Sequence, residues 1–328
     1  MTIRHNIRTI KGALEPLYGE REAESIARMV VCVRLDYNLS QLVAHYDDEV
    51  EIADLDNIIA ELSNGRPVQY VLGKAEFCEL EFEVAEGVLI PRPETEELVE
   101  LVAGVATKGM RILDVGTGTG TIALMAAQRL SDLICRPQPI EGDVSRPEGV
   151  SITAIDIDEA SATEATENFR NSPWADMLSA QNITLDAYSA TLAPEIRFDH
   201  IFSNPPYFDD ALQAPEQRRN DSRHTSTGLS YRELLEFAKE RLTEDGRISL
   251  VLPAETEAAL TRHARMCGLH LFRILRVRTV PRKHPIRIIA EFSFQRCQSP
   301  SDETLIIQSE GRYTDEYLAL TRDFYLFA

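Results

Sequence analysis

The sequence predicts an α/β protein: a doubly wound, mostly parallel sheet of seven strands, preceded by a small helical domain and a β-hairpin. Three observations carry this. From residue 110 onward, short buried-strand patterns alternate with loops and helices, which is how a parallel sheet reads. Before residue 65 the apolar residues recur at helical spacing alone. The chain is 328 residues long, which suits two domains of unequal size. The expected boundaries are 1–66 for the helical domain, 67–87 for the hairpin linker and 88–328 for the sheet domain, which is also the catalytic one.

In the first 65 residues the helical pattern is broken near Pro16, Gly19, Asn38 and Asp54. Pro67–Gly73 and Glu76–Val84 then alternate like the strands of a hairpin around Gly73-Lys74. Val88–Glu96 leads into a helix ending near Val105. Met110–Val115 reads as a buried strand and Thr121–Arg129 as the helix after it. Ser131–Gly149, rich in proline and charge, reads as a surface insertion. Val150–Asp156 is the next strand, with a helix from near Glu159, and Arg197–Ser203 is another. A helix over Ser230–Leu242, a strand over Arg247–Pro253 and a helix over Glu255–Cys267 follow. Two late strands, about 271–280 and 286–294, flank Val280–Pro285.

Between the first sheet strand and its helix lies Asp114-Val-Gly116-Thr117-Gly118-Thr119-Gly120. Glycines there let backbone approach a ligand, and the new helix offers free N–H groups. The loop departs from the dinucleotide fingerprint G-x-G-x-x-G, because Thr121 follows Gly120 directly, which weighs against NAD. Asp114, Gly116, Thr117, Gly118 and Gly120 are the candidate cofactor contacts. A carboxylate at the end of the next strand suits a ribose diol, as in Rossmann-like nucleotide folds. Asp156 is the candidate and Asp158 the alternative; an N-cap for the helix near Glu159 is the structural reading of the same position. Asp186, after Asn182-Ile-Thr-Leu, could accept from an adenine amino group, and a turn aspartate fits there equally.

Downstream, Asn204-Pro205-Pro206-Tyr207-Phe208 stands at the carboxyl end of a strand, where open α/β sheets bind ligands. The two prolines fix the backbone and remove two donors. The Asn204 side-chain carbonyl and the Pro205 backbone carbonyl can each accept one N–H of a planar –NH₂. Tyr207 can stack on the flat group that bears it, and Phe208 extends the apolar wall. With the glycine loop upstream, the pair of motifs points to S-adenosylmethionine (SAM) as cofactor and to methylation of a planar nitrogen. Such a trap suits an exocyclic base amine or a carboxamide.

Net charge is −19, which argues against broad non-specific nucleic-acid binding. Its distribution is uneven. Residues 1–100 hold nine Lys/Arg against twenty-one Asp/Glu, whereas Leu271–Ala290 carries Arg273, Arg276, Arg278, Arg282, Lys283 and Arg287 with no acid. The acidic front suits a basic protein partner. The basic strip suits phosphate, with a solvated hairpin as the plainer reading. Arg282 and Lys283 are candidate substrate contacts, as are Arg219 and Arg223 beyond the tyrosine. No apolar run is long enough to span a bilayer, and the amino terminus lacks signal-peptide features. Cys32, Cys78, Cys135, Cys267 and Cys297 form no C-x-x-C pair. They read as reduced thiols of a cytoplasmic protein, and no metal site is expected.

Two family resemblances meet in this chain. Gly65–Phe77 and Val88–Val99 resemble the release-factor glutamine N5-methyltransferases, the HemK/PrmC family. That resemblance implies a helical domain and hairpin that help dock a release factor, with Arg92 and Thr95 near the substrate and a Gly-Gly-Gln glutamine as acceptor. From about residue 110, Asn168–Trp174, Asn204–Phe208, Arg219–Thr225, Asp245–Pro253, Arg282–Phe292 and Tyr313–Leu326 resemble the bacterial tRNA adenine N6-methyltransferases that act beside the anticodon of a valine tRNA. The Glu-Pro and Gly-Gly-x-Asp-Gly-Leu segments usual after Asn-Pro-Pro-Tyr in the release-factor family are missing. The tRNA family's usual lysine-containing segment before the first strand is replaced by Ile90–Glu96. The chain reads as a hybrid with one active site. The favoured substrate is an adenine N6 of a tRNA anticodon loop, the alternative is the release-factor glutamine, and one enzyme serving both stays open. A non-catalytic docking protein is the reading from another class.

Overall fold

The computed structural model describes residues 1–77, 80–84, 110–135, 149–205 and 229–321. The chain divides into two compact units, with the change of unit falling around the hairpin that follows Glu76.

The first unit is helical: α1 (Ile3–Tyr18), α2 (Glu20–Leu35), α3 (Leu39–Ala44), α4 (Leu55–Ser63) and α5 (Val68–Leu72). The Thr2 hydroxyl caps α1 by accepting from the His5 N–H, satisfying one of the free donors of the first turn. Ile3, Ile7, Ile10 and Leu14 then form its buried stripe against Ala23, Ile26, Ala27, Val30 and Val31 of α2. Gly19, at φ 78°, makes the break between the two helices, a conformation that suits a residue without Cβ. Pro16 does not break α1; the helix carries it within the last turn and ends at Tyr18. Asn38 and Gln41 form a reciprocal capping box at the start of α3.

The expected hairpin is displaced. Val68–Leu72 is helical, stopped by Gly73 in the left-handed region at φ 72°. The paired strands are β1 (Lys74–Phe77) and β2 (Leu80–Glu83). Apolar residues at 68, 71 and 72 satisfy a helical turn as well as an alternating strand, and the glycine decided between them.

The second unit contains β3 (Arg111–Val115), α6 (Thr121–Cys135), β4 (Ser151–Asp156), α7 (Glu159–Asn171), β5 (Leu178–Asn182), α8 (Leu185–Thr191) and β6 (Phe198–Ser203). After them come α9 (Tyr231–Arg241), β7 (Leu242–Pro253), α10 (Glu257–Met266), β8 (His270–Arg278), β9 (Arg287–Ser293), β10 (Ser301–Ile306), β11 (Gln308–Ser309), β12 (Arg312–Tyr313) and α11 (Asp315–Thr321). One sheet runs β10-β8-β9-β7-β6-β3-β4-β5. Strands β3 to β7 pair in parallel, and β9 is antiparallel to both of its neighbours. The sheet has eight strands rather than seven. The added edge strand, β10, exposes its first four residues and buries Leu305, so it shows none of the apolar alternation from which a strand is read. Helix α6 continues to Cys135, so the region read as an insertion begins as helix, and residues 136–148 lie outside the described ones.

Leu113 and Val115 of β3, Ile201 of β6 and Ile248, Leu250 and Leu252 of β7 share one core with Leu234, Leu235 and Ala238 of α9 and with Leu260 and Ala264 of α10. A polar cluster also lies inside the sheet. His200 is fully buried, with Nε2 2.9 Å from the Ser249 Oγ. That hydroxyl donates to Glu291 Oε2 at 3.2 Å, and Arg247 donates to Glu291 Oε1 at 2.8 Å. The Arg247 guanidinium also lies 3.8 Å from the Phe272 ring centre. Burial, with Arg247 adding to it, holds the His200 pKa down to about 3. The imidazole is therefore neutral at pH 7.

Candidate active site at the carboxyl edge of the sheet

The loop after β3 is built by three glycines with positive φ: Gly116 at 74°, Gly118 at 58° and Gly120 at 80°. They serve different ends. A Cβ on Gly120 would lie 2.5 Å from Phe169 Cε1 and 3.1 Å from Ala165 Cβ, so this glycine lets α7 pack against the loop. A Cβ on Gly118 would meet nothing within 4 Å. That glycine faces open space, where a ligand can reach the backbone.

The carboxyl end of β4 fixes the loop through one backbone carbonyl and one side chain. Gly116 N–H and Thr117 N–H both donate to Ile155 O, at 2.9 and 3.2 Å. The Asp156 carboxylate accepts from Gly118 N–H at 2.9 Å through one oxygen and from Asp158 N–H at 2.9 Å through the other. Asp158 is the N-cap of α7, accepting from Ser161 N–H at 2.8 Å. The two aspartates thus separate: Asp158 does the capping and Asp156 faces the glycine loop.

Asp114 is wholly buried. Its Oδ2 accepts from the Thr117 hydroxyl at 2.5 Å, while its Oδ1 is buried with no hydrogen-bond partner among the described residues. An orphan carboxylate oxygen beneath an open glycine loop fits a missing cationic or hydrogen-bonding ligand. Burial pushes the Asp114 pKa up to about 7; the Thr117 hydrogen bond opposes this and the Asp156 charge adds to it. Asp186 is exposed in the first turn of α8, just past the end of β5. Asp156 pairs with Asn182 at that end, so Asp186 shares the edge with the loop.

Asn204 follows β6, the neighbour of β3. Ser203 Oγ donates to Val115 O at 2.6 Å, a buried bond that pins the end of β6 to the start of the glycine loop. Asn204 is half-buried and Pro205 buried. Pro206, Tyr207, Phe208, Arg219 and Arg223 lie outside the described residues, as do Arg92 and Thr95. Where the chain is described again, the Leu229 side chain sits 3.8 Å from the Cβ position of Gly116. Ser203 and Leu229 thus both lie against the start of the glycine loop.

Asn168 is a positioning residue that its sequence neighbourhood did not mark as part of a site. From α7 its Nδ2 donates to Thr119 O at 2.9 Å, inside the protein. Its sole signal was its place at the head of the Asn168–Trp174 resemblance. Asn182 does similar work, donating to Asp156 O and Ile157 O at 3.2 and 2.9 Å.

The basic strip is less basic than its sequence. Arg273 pairs with Glu303 of β10 at 3.1 Å. Arg276 pairs with Glu257 of α10 at 2.6 Å and also with Asp302 of β10. Arg282 and Lys283 are exposed at the tip of the β8–β9 connection and form no ion pair among the described residues. Glu236 of α9 and, one turn apart at the end of α10, His263 and Cys267 place ligand-type atoms within 4.8 Å of one another. The Cys267 thiol there is pushed up to about 11 by burial and by its hydrogen bond to Glu236, so it is protonated at pH 7.

Two family models match the chain. The PrmC N-terminal domain matches residues 8–73, and the RMKL-like methyltransferase domain matches residues 101–279. The chain belongs to the RMKL-like methyltransferases. It is a SAM-dependent methyltransferase with a PrmC-type N-terminal domain, the hybrid that the sequence motifs describe. A protein of Bacteroides fragilis named tRNA1(Val) (adenine(37)-N6)-methyltransferase is 37% identical over 216 residues, covering 66% of this chain and 83% of its own. Proteins of the same name from Mannheimia succiniciproducens (35% identical, 69% and 84%) and Parabacteroides distasonis (38%, 66% and 83%) are similar to the same extent. Among the described residues no helix is long and apolar enough to cross a membrane.

Proposed function

We propose that this methyltransferase acts on the exocyclic N6 of an adenine in a tRNA anticodon loop, beside the anticodon. The observation that carries the reading is the adjacency of two elements: Asn204, at the end of β6, is tied through Ser203 to Val115, the last residue of β3 before the glycine loop. The names of the relatives support the substrate, and the exposed Arg282 and Lys283 on the same sheet supply contacts for phosphate.

In this reading Asp114, Gly116, Thr117, Gly118, Gly120, Asp156 and Asp186 hold the cofactor. The open backbone at Gly118 takes its close approach, and Asp156 keeps lone pairs free for the ribose hydroxyls. S-adenosylmethionine, when bound, supplies a sulfonium methyl group. Its in-line displacement needs placement of the acceptor more than acid or base. Asn204 Oδ1 and the Pro205 carbonyl each accept one N–H of the adenine amine and turn its lone pair away from the ring. Pro206 stiffens the turn, Tyr207 stacks on the base and Phe208 closes the apolar side. Arg219 and Arg223 reach phosphates from the segment that follows, and localisation in the cytoplasm accords with a tRNA substrate.

A second reading keeps the same site and exchanges the acceptor for a release-factor glutamine amide. The match of residues 8–73 to the PrmC N-terminal domain favours it, and Arg92 and Thr95 would then face that partner. Nucleoside digestion and mass spectrometry of valine tRNA transcripts incubated with the protein and SAM separate the readings. N6-methyladenosine should appear with adenine at position 37 and vanish when guanine replaces it. An unmodified adenine transcript would refute the tRNA reading.

A further inference from the structure

The sheet topology brings another feature to the edge that holds Asn204 and the glycine loop. Strand β9 is antiparallel to both β7 and β8, so β7 and β8 run the same way, and β10 pairs in parallel with β8. Arg278 at the end of β8 and Ile306 at the end of β10 are register partners. The chain therefore leaves both strands at the carboxyl edge. There the β11–β12 hairpin is fastened to the basic connection, with Ile307 N–H donating to Arg278 O and Gln308 N–H to Thr279 O, each at 2.9 Å. Across the hairpin Gln308 pairs with Tyr313, and Ser309 with Arg312.

Tyr313 is 52% exposed, whereas Tyr317, on which its ring stacks at 5.2 Å and 27°, is 6% exposed. A tyrosine presented to solvent and backed by a second, buried ring is a rigid aromatic surface. The exposed Arg312 lies next to it, and Arg282 and Lys283 stand on the connection to which its hairpin is bonded. Aromatic faces beside unpaired cations are how proteins hold single-stranded nucleic acid without reading its sequence.

We propose that Tyr313 is a stacking platform for an unpaired base of the RNA substrate, with Arg312, Arg282 and Lys283 on the adjoining phosphates; this rests on the tRNA reading above. From β6 to β8 and β10 is three to four strand steps, roughly 14–19 Å at about 4.8 Å per step. About five stacked nucleotides cover that span at ~3.4 Å each. The base on Tyr313 is thus another nucleotide of the same loop, several residues from the one at Asn204. The platform fixes which nucleotide reaches the methyl donor.

The test uses full-length protein and a valine tRNA transcript, with binding followed by anisotropy across a salt series and SAM titrated in parallel. Tyr313→Ala should weaken tRNA binding about 5- to 100-fold, the range of one stacked base. It should leave the log–log salt slope and the SAM affinity unchanged. Tyr313→Phe should bind like the parent, because stacking needs the ring and not the hydroxyl. Tyr313→Leu keeps apolar packing on Tyr317 without the π face, and should retain the parent's melting temperature while binding tRNA as poorly as the alanine variant. Reversing Arg282 and Lys283 to Glu should instead lower the salt slope, by up to about 0.9 per lost contact. The proposal is overturned if Tyr313→Leu binds tRNA as the parent does, if Tyr313→Phe loses as much as Tyr313→Ala, or if binding of a release factor falls in place of tRNA. A parent protein that binds no tRNA would take down the tRNA reading itself.

Discussion

Asn6 is the one polar side chain buried in the helical unit among the described residues, set among aliphatic residues and alanines. The sheet unit buries twelve, and they fall into groups. Asp114, Thr117, Thr119, Thr121, Asn168 and Ser203 surround the glycine loop, while His200, Ser249, Glu291 and Ser293 lie in the middle of the sheet. Burying polar groups costs free energy unless each is partnered, so they persist where they hold something in place. Around the glycine loop they hold backbone for a ligand. The helical unit has the economy of a plain bundle, and what it offers is an acidic surface. The methyltransferase-domain match falls on the sheet unit too, over residues 101–279.

The largest expected effect tests where the chemistry lies. Asn204→Ala should lower kcat by about 100-fold or more, the scale on which misplaced acceptors lose rate. SAM affinity should stay within a few-fold in calorimetry. Asp156→Ala should do the reverse. Equal losses of SAM affinity in both variants would break the division between acceptor side and cofactor side.

Next in size is the contrast between Gly118, where a Cβ would meet nothing within 4 Å, and Gly120, where it would not fit. Gly120→Ala drives a Cβ into Phe169 and should cost stability by about 2–4 kcal/mol, from overpacking and a left-handed alanine together. Gly118→Ala should cost about 1–2 kcal/mol in urea unfolding, from the left-handed backbone alone, yet lose SAM affinity at least as severely. If Gly118→Ala bound SAM normally, the open space above that residue would not be the cofactor's.

A smaller effect follows from Asp114. Its folded pKa, about 7, lies above its ordinary value of 3.8. The folded state thus binds the extra proton, and the resulting stability is complete below about pH 4 and lost as pH rises through 7. A cationic ligand favours the ionised carboxylate, so SAM affinity should tighten several-fold between about pH 6 and pH 8. Asp114→Asn should flatten that profile. An unchanged profile in the variant would assign the titration to another group.

The strands that flank the glycine loop, the positions of Asp114, Asp156 and Asn204 and the helical front were readable because each rests on local pattern: a strand, a tight turn, a strand end. Features set by distant residues were not. Strand β10 pairs through backbone while exposing its side chains. Arg273 and Arg276 are neutralised by Glu303, Glu257 and Asp302, all outside the Leu271–Ala290 stretch. Asn168 reaches Thr119 across 49 positions. The stretch at 68–72 fitted two periodicities, and Gly73 settled it in favour of the helix.

The smallest effect expected on tRNA is that of removing the helical unit. Residues 108–328 alone should methylate tRNA within a few-fold of the full chain, with activity falling steeply as salt rises, since each phosphate contact adds up to about 0.9 to the log–log slope. Any release-factor methylation should disappear with residues 1–85. A truncated chain that folds, binds SAM and leaves tRNA unmodified would show that the bundle takes part in RNA recognition.

The central claim, that the acceptor is an adenine amine, is tested most directly by giving full-length protein radiolabelled SAM with tRNA and with a release factor in separate reactions. The account predicts label in tRNA, released as N6-methyladenosine, at a rate well above that in the release factor. Label in the Gly-Gly-Gln peptide of the release factor and none in tRNA would contradict it.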